Sequence, residues 1–384
     1  MRLRRPARVL LVTALVAGGV GRHVQMLAAG LTAGGHRVAV ACPPEVAERF
    51  ALDQHARIVP LTVGSSPHPV LDARAVRTLR AVGATADVVH AHGLRAGALC
   101  SVALRRSDPL VVTMHNAPPD GRADRLVYTG MERLVAARSD LLLAVSPDLA
   151  VRARGAGAGA VDLAVVPAPA AARRNPAAAR QQLRAAAGLD PDATVVLVVG
   201  RLAPQKGLDR AVAMLGHLNG PGPAGPARVH LVVVGEGPEE ERLAAAARRR
   251  ADLHLLGHRG DVPDLLAGAD VVLSAARWEG QPVWLQEALL QRAPVVATDV
   301  GGTALVVGGA AVLVPDQGGD DQVAAGLADA VRALLEHPAE RTILRGRAAV
   351  RAAELPTEAD AVAAAVAAYD RVLADHPRPG PAGT

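Results

Sequence analysis

A chain of 384 residues is long enough for two or three domains; half of it is nominally hydrophobic, yet it has only two Trp, two Tyr and one Phe, and of its 42 Lys and Arg residues all but Lys206 are arginine. That skew excludes a Walker A loop, because Lys206 is followed by Gly207 rather than Ser or Thr, a protein kinase, which needs a lysine on an N-terminal strand, and a single-stranded nucleic-acid platform, which needs interleaved aromatics. Two cysteines, Cys42 and Cys100, exclude a disulfide scaffold and an all-cysteine metal site, and the net charge of +5 conceals +11 over residues 1–180 and −6 over residues 181–384. The basic half predicts an anionic partner such as a lipid headgroup or a phosphorylated acceptor; the competing reading is a set of solvated arginines.

The N-terminus, MRLRRPARVLLVTALVAGG, imitates a signal peptide, but its apolar run flows into Gly18, Gly19 and Gly21 and then into a helical pattern, so it is read as strand, glycine turn, helix. Further strands are predicted at Arg37 to Ala41, Ile58 to Val63, Asp87 to Ala91, Leu110 to Met114, Leu141 to Val145 and Leu163 to Val166, alternating with amphipathic Ala- and Arg-rich segments. This is the pattern of parallel βαβ units. PAPAAARRNP then breaks both periods as a linker. A second series follows at Thr194 to Val199, Val229 to Val234, Leu253 to Leu256, Asp270 to Leu273, Pro294 to Ala297 and Val312 to Val314, with GPGPAGP at 220–226 as an internal loop. Three helical stretches close the chain, at Asp320 to Glu336, Ala339 to Ala353 and Glu358 to Ala374, before a disordered tail HPRPGPAGT. The expectation is an α/β protein with two doubly wound, Rossmann-like parallel-sheet domains facing an interdomain cleft. The expected domains are residues 1–168 and 177–355, a C-terminal helix over 356–375 that packs back on the first, and a tail over 376–384. No apolar stretch reaches the roughly 18 residues of a spanning helix, so no integral membrane segment is expected; the two cysteines point to a reduced, cytoplasmic protein, peripheral at the inner face of the membrane if the basic half meets lipid.

In open α/β sheets, ligands sit beyond the carboxyl ends of the strands, so the chemistry is sought there. Gly18 and Gly19 open a helix where backbone amides can meet an anion; a tight turn without ligand explains them almost as well. His90, His92 and His115 end adjacent strands. His115 is the better candidate for a hydrogen-bonding or acid–base group; packing accounts for His90 and His92, and three imidazoles on zinc are the remaining alternative. In the second half Gly200, Arg201 and Lys206 lie between a strand and a helix, where a planar fork and a point charge can neutralise a diphosphate. Lys206 is the more telling of the two, because the compositional bias replaced every other lysine. Glu279 precedes a helix that Pro282 opens, and Glu287 lies inside it, eight positions on. Such spacing suits two distant hydroxyls of one extended ligand better than a glycosidase pair flanking one bond. Helix charge and a solvated face are the bland alternatives. Trp278 and Trp284 fall in the same box, as cleft lining or as core. Asp190 and Asp192 spell DxD, but in a turn before a strand, so no metal role is expected of them.

Together GGVGRHV, the TMHN segment, GRLAPQKG, VVVGEGPEEERL and WEGQPVWLQEALLQRAPVVATDVGGT, in this order through nearly the whole chain, resemble the retaining glycosyltransferases of family 4, which have the two-domain GT-B fold. The resemblance implies a loop at Gly18 and Gly19 near donor phosphates and acceptor, and His115 against the transferred sugar. It implies Arg201 and Lys206 on the diphosphate, Glu279 with the Gly280 and Gln281 amides on the sugar hydroxyls, Pro282 and Val283 beside the donor, and Glu287 on the ribose. His115, Arg201, Lys206 and Glu279 are thus the expected catalytic set, with no metal and no cofactor. The expected partners are a UDP- or GDP-sugar donor and a lipid-linked, glycan or small-molecule acceptor, with no nucleic acid.

The chain departs from that family pattern in four places. Leu305 stands where an acid usually follows GGTA, Gly308 and Gly309 replace an expected Asp, Ala293 preceded by Gln291 and Arg292 replaces the glycine before PVVA, and Pro167, Ala168, Pro169 replaces PNG. The leading expectation is hexosyl transfer with retention. The alternatives are another GT-B activity, epimerase or phosphorylase, and a catalytically degenerate nucleotide-sugar-binding protein.

Overall fold

Runs of Val, Leu and Ala without polar alternation are the mark of strands covered on both faces, and the computed structural model has thirteen parallel strands among the described residues, each overlapping an expected one. The structure describes residues 6–14, 18–64, 67–119, 121–220 and 228–376. Residues 221–226 of the expected internal loop and residues 377–384 of the expected tail lie outside them.

The chain divides into two units, residues 1–166 with 356–384, and residues 167–355. In the first unit the elements run β1 (Arg8–Thr13), α1 (Gly19–Ala33), β2 (Arg37–Cys42), α2 (Pro44–Arg49), β3 (Arg57–Pro60), α3 (Pro69–Gly83), β4 (Val88–His92), α4 (Leu94–Ala103), β5 (Leu110–Met114), α5 (Arg122–Arg138), β6 (Leu141–Ala144), α6 (Pro147–Gly155) and β7 (Val161–Leu163). The strand order is β3-β2-β1-β4-β5-β6-β7. β3 and β7 differ from expectation: β3 stops at Pro60, and β7 runs from Val161 to Leu163 instead of from Leu163 to Val166, the two ladders ending where Leu61 N–H donates to Cys42 O and Ala164 N–H to Ala144 O. Val63 and Val166 beyond them are buried all the same. An apolar run marks burial, and ladder membership is a separate condition.

In the second unit the elements are α7 (Pro176–Ala186), β8 (Thr194–Val199), α8 (Leu208–Asn219), β9 (Val229–Val234), α9 (Glu240–Ala247), β10 (Leu253–Leu255), α10 (Val262–Gly268), β11 (Val271–Ser274), α11 (Val283–Leu290), β12 (Val295–Asp299), α12 (Thr303–Val307), β13 (Ala311–Pro315), α13 (Asp320–Glu336) and α14 (Pro338–Glu354). The order is β10-β9-β8-β11-β12-β13. Val196, Val198 and Leu231 pack on one face with Leu208, Met214 and Leu327, while Val195, Leu197 and Val232 pack on the other with Leu183, Leu265 and Leu285. The period-2 alternation of side chains along each strand thus feeds two cores.

The last helix, α15 (Glu358–Asp375), opens with a capping box between Thr357 and Asp360. It belongs to the first unit, packs on α1, and its Tyr369 hydroxyl lies 2.8 Å from His90 Nδ1. No helix among the described residues is long and apolar enough to cross a membrane.

In each sheet the order of strand addition reverses once, between β1 and β4 in the first unit and between β8 and β11 in the second. Such switch points, where neighbouring loops diverge to opposite faces, are where α/β sheets bind ligands. The segments after β1 and β4, and after β8 and β11, are the ones that carry the unusual residues.

Candidate active site

In the first unit, Gly18 caps α1 and Gly19 begins it, and an added Cβ at either would meet nothing within 4 Å. The helix start is therefore open to a ligand. Behind it four imidazoles gather: His23 from α1, His90 and His92 from β4, and His115 just after β5. Parallel pairing of β1, β4 and β5 brings them together, since Thr13 registers with His92 and His92 with Thr113. His92 Nδ1 lies 3.3 Å from His115 Nε2, and His23 stands edge-on to both rings at 5.6 and 5.8 Å between centroids. His90 is spent on structure, bonded through Nδ1 to Tyr369 and through Nε2 to the Thr113 hydroxyl at 2.7 Å. Burial pushes His23 down to about 4 and His90 to about 3; burial, then repulsion from the neighbouring rings, holds His92 and His115 well below the ordinary histidine range. The cluster is neutral at pH 7. Among the described residues no group of three or more His, Cys, Asp or Glu is placed to hold a metal ion, so the three-imidazole zinc alternative has no geometric support.

Beneath α15 a cavity of about 380 Å³ runs from His23, His90 and Thr113 past Leu143 and Ala364 to Arg371. Arg371 pairs with Asp162 at 2.8 Å, with both side chains about half exposed.

In the second unit, β8 runs into Gly200, exposed Arg201 and a short turn over Pro204–Lys206, then into α8. Gly207 ends the turn at φ +59°, and a Cβ there would lie 1.9 Å from Ala275 O. Only glycine permits this left-handed turn to press on the segment after β11. The closeness puts Lys206 Nζ 2.6 Å from Glu279 Oε1, with side chains 17% and 7% exposed. Trp284 Nε1 lies 3.5 Å from the same oxygen. Gly301, at φ +54°, does the equivalent from β12: a Cβ would meet Glu279 O at 2.0 Å, and Gly302 N–H donates to that oxygen at 2.9 Å. Glu279 is thereby fixed at both ends. Gly280 and Gln281 follow it in a half-buried turn, Pro282 caps α11, Val283 begins it, and Glu287 sits half-buried on its second turn. Trp284 goes to the core, with Leu285 and Leu289, while Trp278 is partly exposed.

The structure brings Lys206 and Glu279 together and leaves Arg201 beside them on the open loop. It also explains two departures. Gln286 Oε1 accepts from Ala168 N–H at 3.0 Å, and Gln291 spans Arg174 N–H and Ala172 O at 2.8 and 3.2 Å. These glutamines tie the segment after Pro167 to α11. Next to Ala293, Arg292 takes a positive φ of 57° that a glycine would adopt more easily.

A family model, "Glycosyl transferase 4-like domain", matches residues 18–169, and a second, "Glycosyl transferases group 1", matches residues 193–337. The D-inositol 3-phosphate glycosyltransferase of Kineococcus radiotolerans is 33% identical over 306 residues, 69% of this chain and 67% of that protein. The chain belongs to the family 4 glycosyltransferases. The glycogen synthase of Mycobacterium tuberculosis is also similar to this glycosyltransferase, 29% identical over 381 residues, 86% of this chain and 87% of that one. Among solved structures, Anabaena HepE in complex with UDP-glucose aligns with the glycosyltransferase at a TM-score of 0.70 and 21% identity, over 96% of this chain and 98% of that chain. The fold is GT-B, with two Rossmann-like units.

Proposed function

We propose that this glycosyltransferase moves a hexosyl group from a UDP- or GDP-sugar to an acceptor with retention of anomeric configuration, the donor held by the second unit and the acceptor by the first. The observation that carries the reading is the Lys206–Glu279 pair at the second switch point. It is a cation and a carboxylate already desolvated side by side, as a site for a sugar diphosphate requires. Lys206 and the exposed Arg201 neutralise the charge that grows on the diphosphate as its bond to the sugar breaks. Glu279 and the amides of Gly280 and Gln281 take sugar hydroxyls, with Pro282 and Val283 alongside, and Glu287 takes the ribose. The structure of HepE is a complex with UDP-glucose, which supports a nucleotide sugar as donor. Gly18 and Gly19 offer an open helix start to phosphate or acceptor, and His115, held neutral, can hydrogen-bond a hydroxyl without adding charge. The cations of the site are its own, so no metal or other cofactor is invoked. NMR of the product tests the reading: the glycoside should keep the donor's anomeric configuration and form only when acceptor is present. Inversion, or conversion of the donor without acceptor, would contradict it.

The acceptor side is supported by the basic first unit and by the cavity under α15. α5 exposes Leu126, Val127 and Leu134 by 76%, 46% and 40%, among exposed Arg122, Arg125 and Arg133. An apolar stripe flanked by arginines suits the interface of an anionic bilayer, which supports a peripheral position at the cytoplasmic face of the membrane. The protein is expected to sediment with phosphatidylglycerol vesicles at low salt and not with phosphatidylcholine vesicles. A Leu126→Glu, Leu134→Glu variant should stay in the supernatant; equal sedimentation with both lipids would contradict the membrane contact.

A further inference from the structure

We infer that Arg277 is a positioning residue that fixes Lys206 against Glu279, an assignment that rests on the reading of Lys206 as a donor ligand. Arg277 stands two residues before Glu279, on the segment that meets the Lys206 turn. Its backbone N–H donates to Gln205 O at 2.8 Å, and its Nη1 donates to Pro204 O at 3.0 Å. These carbonyls belong to the two residues immediately before Lys206. The same guanidinium forks onto Asp209 in the first turn of α8, Nη1 to Oδ1 at 2.9 Å and Nη2 to Oδ2 at 2.7 Å, and Nη2 also reaches Asp320 Oδ2 at the start of α13 at 2.5 Å. Asp320 is held in turn by Arg210 Nε at 2.7 Å, and Arg210 Nη1 lies 2.9 Å from Asp316 Oδ1. One planar cation therefore joins the Glu279 segment, the Lys206 turn and the starts of α8 and α13.

The geometry calls for arginine. Four acceptors lie around one guanidinium plane, and a lysine ammonium, a compact point charge on a flexible stem, cannot serve them together. Without the fork, the turn loses its side-chain tie at Pro204 O and to α8, and keeps the backbone bond from Arg277 N–H to Gln205 O, the Lys206–Glu279 pair, the Gly207 contact with Ala275 and its own hydrogen bonds, Lys206 N–H to Ala203 O at 2.9 Å and Gly207 N–H to Pro204 O at 3.1 Å. The side-chain bonds lost include those to Pro204 O and Asp209, on either side of Lys206, so losing the clamp loosens Lys206 first.

Hydrogen–deuterium exchange of Arg277→Gln and of the charge-conserving Arg277→Lys tests this. Both should speed exchange across 201–207 by about tenfold or more, the equivalent of one lost charge-assisted hydrogen bond, while exchange in β4 and β5 stays as in the unmodified protein. In turnover with UDP- or GDP-hexose, kcat should fall by more than the donor KM rises, because Lys206 is needed most where charge develops. Millimolar guanidinium should restore part of the kcat of Arg277→Ala and none of that of Lys206→Ala. Unchanged exchange over 201–207, or full kcat in Arg277→Lys, would overturn the inference. Faster exchange in a protein whose unmodified form turns over no nucleotide sugar would instead overturn the donor reading and leave the positioning role in place.

Discussion

Replacing Lys206 by Ala is expected to lower kcat by about 100- to 1000-fold, the cost of removing one preorganised group that stabilises developing charge. Glu279→Gln should lose a similar amount by weakening the grip on the sugar. Each single change also carries a structural cost, because the two side chains form a buried pair in the unliganded protein. Removing Lys206 takes the cation away from the buried Glu279 carboxylate, whose Oε1 keeps Trp284 Nε1 at 3.5 Å, and an uncompensated buried charge costs about 3 kcal/mol. For a unit of this size that corresponds to a fall of about 6–12 °C in the melting temperature. The double change Lys206→Met with Glu279→Gln removes both charges and keeps the volume, so its melting temperature should recover most of the loss. Its turnover should not recover. Measuring thermal unfolding and kcat on all three variants separates the two roles: recovery of stability without activity is expected, and activity that tracks stability would show the pair to be only structural.

The first unit should lose stability steeply as the pH falls below 6.5. His23 and His90 titrate at about 4 and about 3 in the fold, and His92 and His115 are also lowered, whereas an unfolded chain binds these protons near pH 6.5. Between the two values the unfolded state holds more protons than the folded one, so stability is full above pH 6.5 and drains as the pH drops, flattening only below the folded values. The slope is about 1.4 kcal/mol per pH unit for each histidine. Both tryptophans lie in the second unit, which gives an internal control: urea unfolding followed by circular dichroism between pH 7 and 5 should show an early transition that weakens strongly, while the tryptophan-reported transition moves less. His92→Asn should make that dependence shallower by about one proton. A first-unit transition that ignores pH over this range would contradict the buried neutral cluster.

How much of this was legible in the sequence depended on residue type. The strands were, because a parallel strand buried on both faces must be an unbroken apolar run, and Val195 to Val199 or Leu110 to Met114 leave little else to read. The carboxyl ends of those strands then led to His115, Lys206 and Glu279. Lys206 stood out as the sole lysine among arginines. The same bias hid Arg277 and Arg184, each one of many arginines, although Arg184 is almost fully buried on Asp270 and the Ala193 and Gly268 carbonyls. His23 was legible only as part of GGVGRHV; its place in the cluster follows from the way α1 lies over the sheet. The bond from Tyr369 to His90 spans 279 residues, and no local pattern encodes such a contact. Gln286 in α11 and Gln291 at its end bond to Ala168 and Arg174, partners distant in sequence that no local pattern specifies either.

The most direct test of a nucleotide-sugar site built on the Lys206 turn and the Glu279 box is a thermal-shift titration of UDP, GDP and their hexose conjugates against the unmodified protein and Lys206→Ala. One nucleotide and its sugar should raise the melting temperature of the unmodified protein in proportion to the logarithm of ligand concentration, and the same ligands should leave Lys206→Ala nearly unshifted. No shift with any nucleotide, or equal shifts in both proteins, would contradict the account.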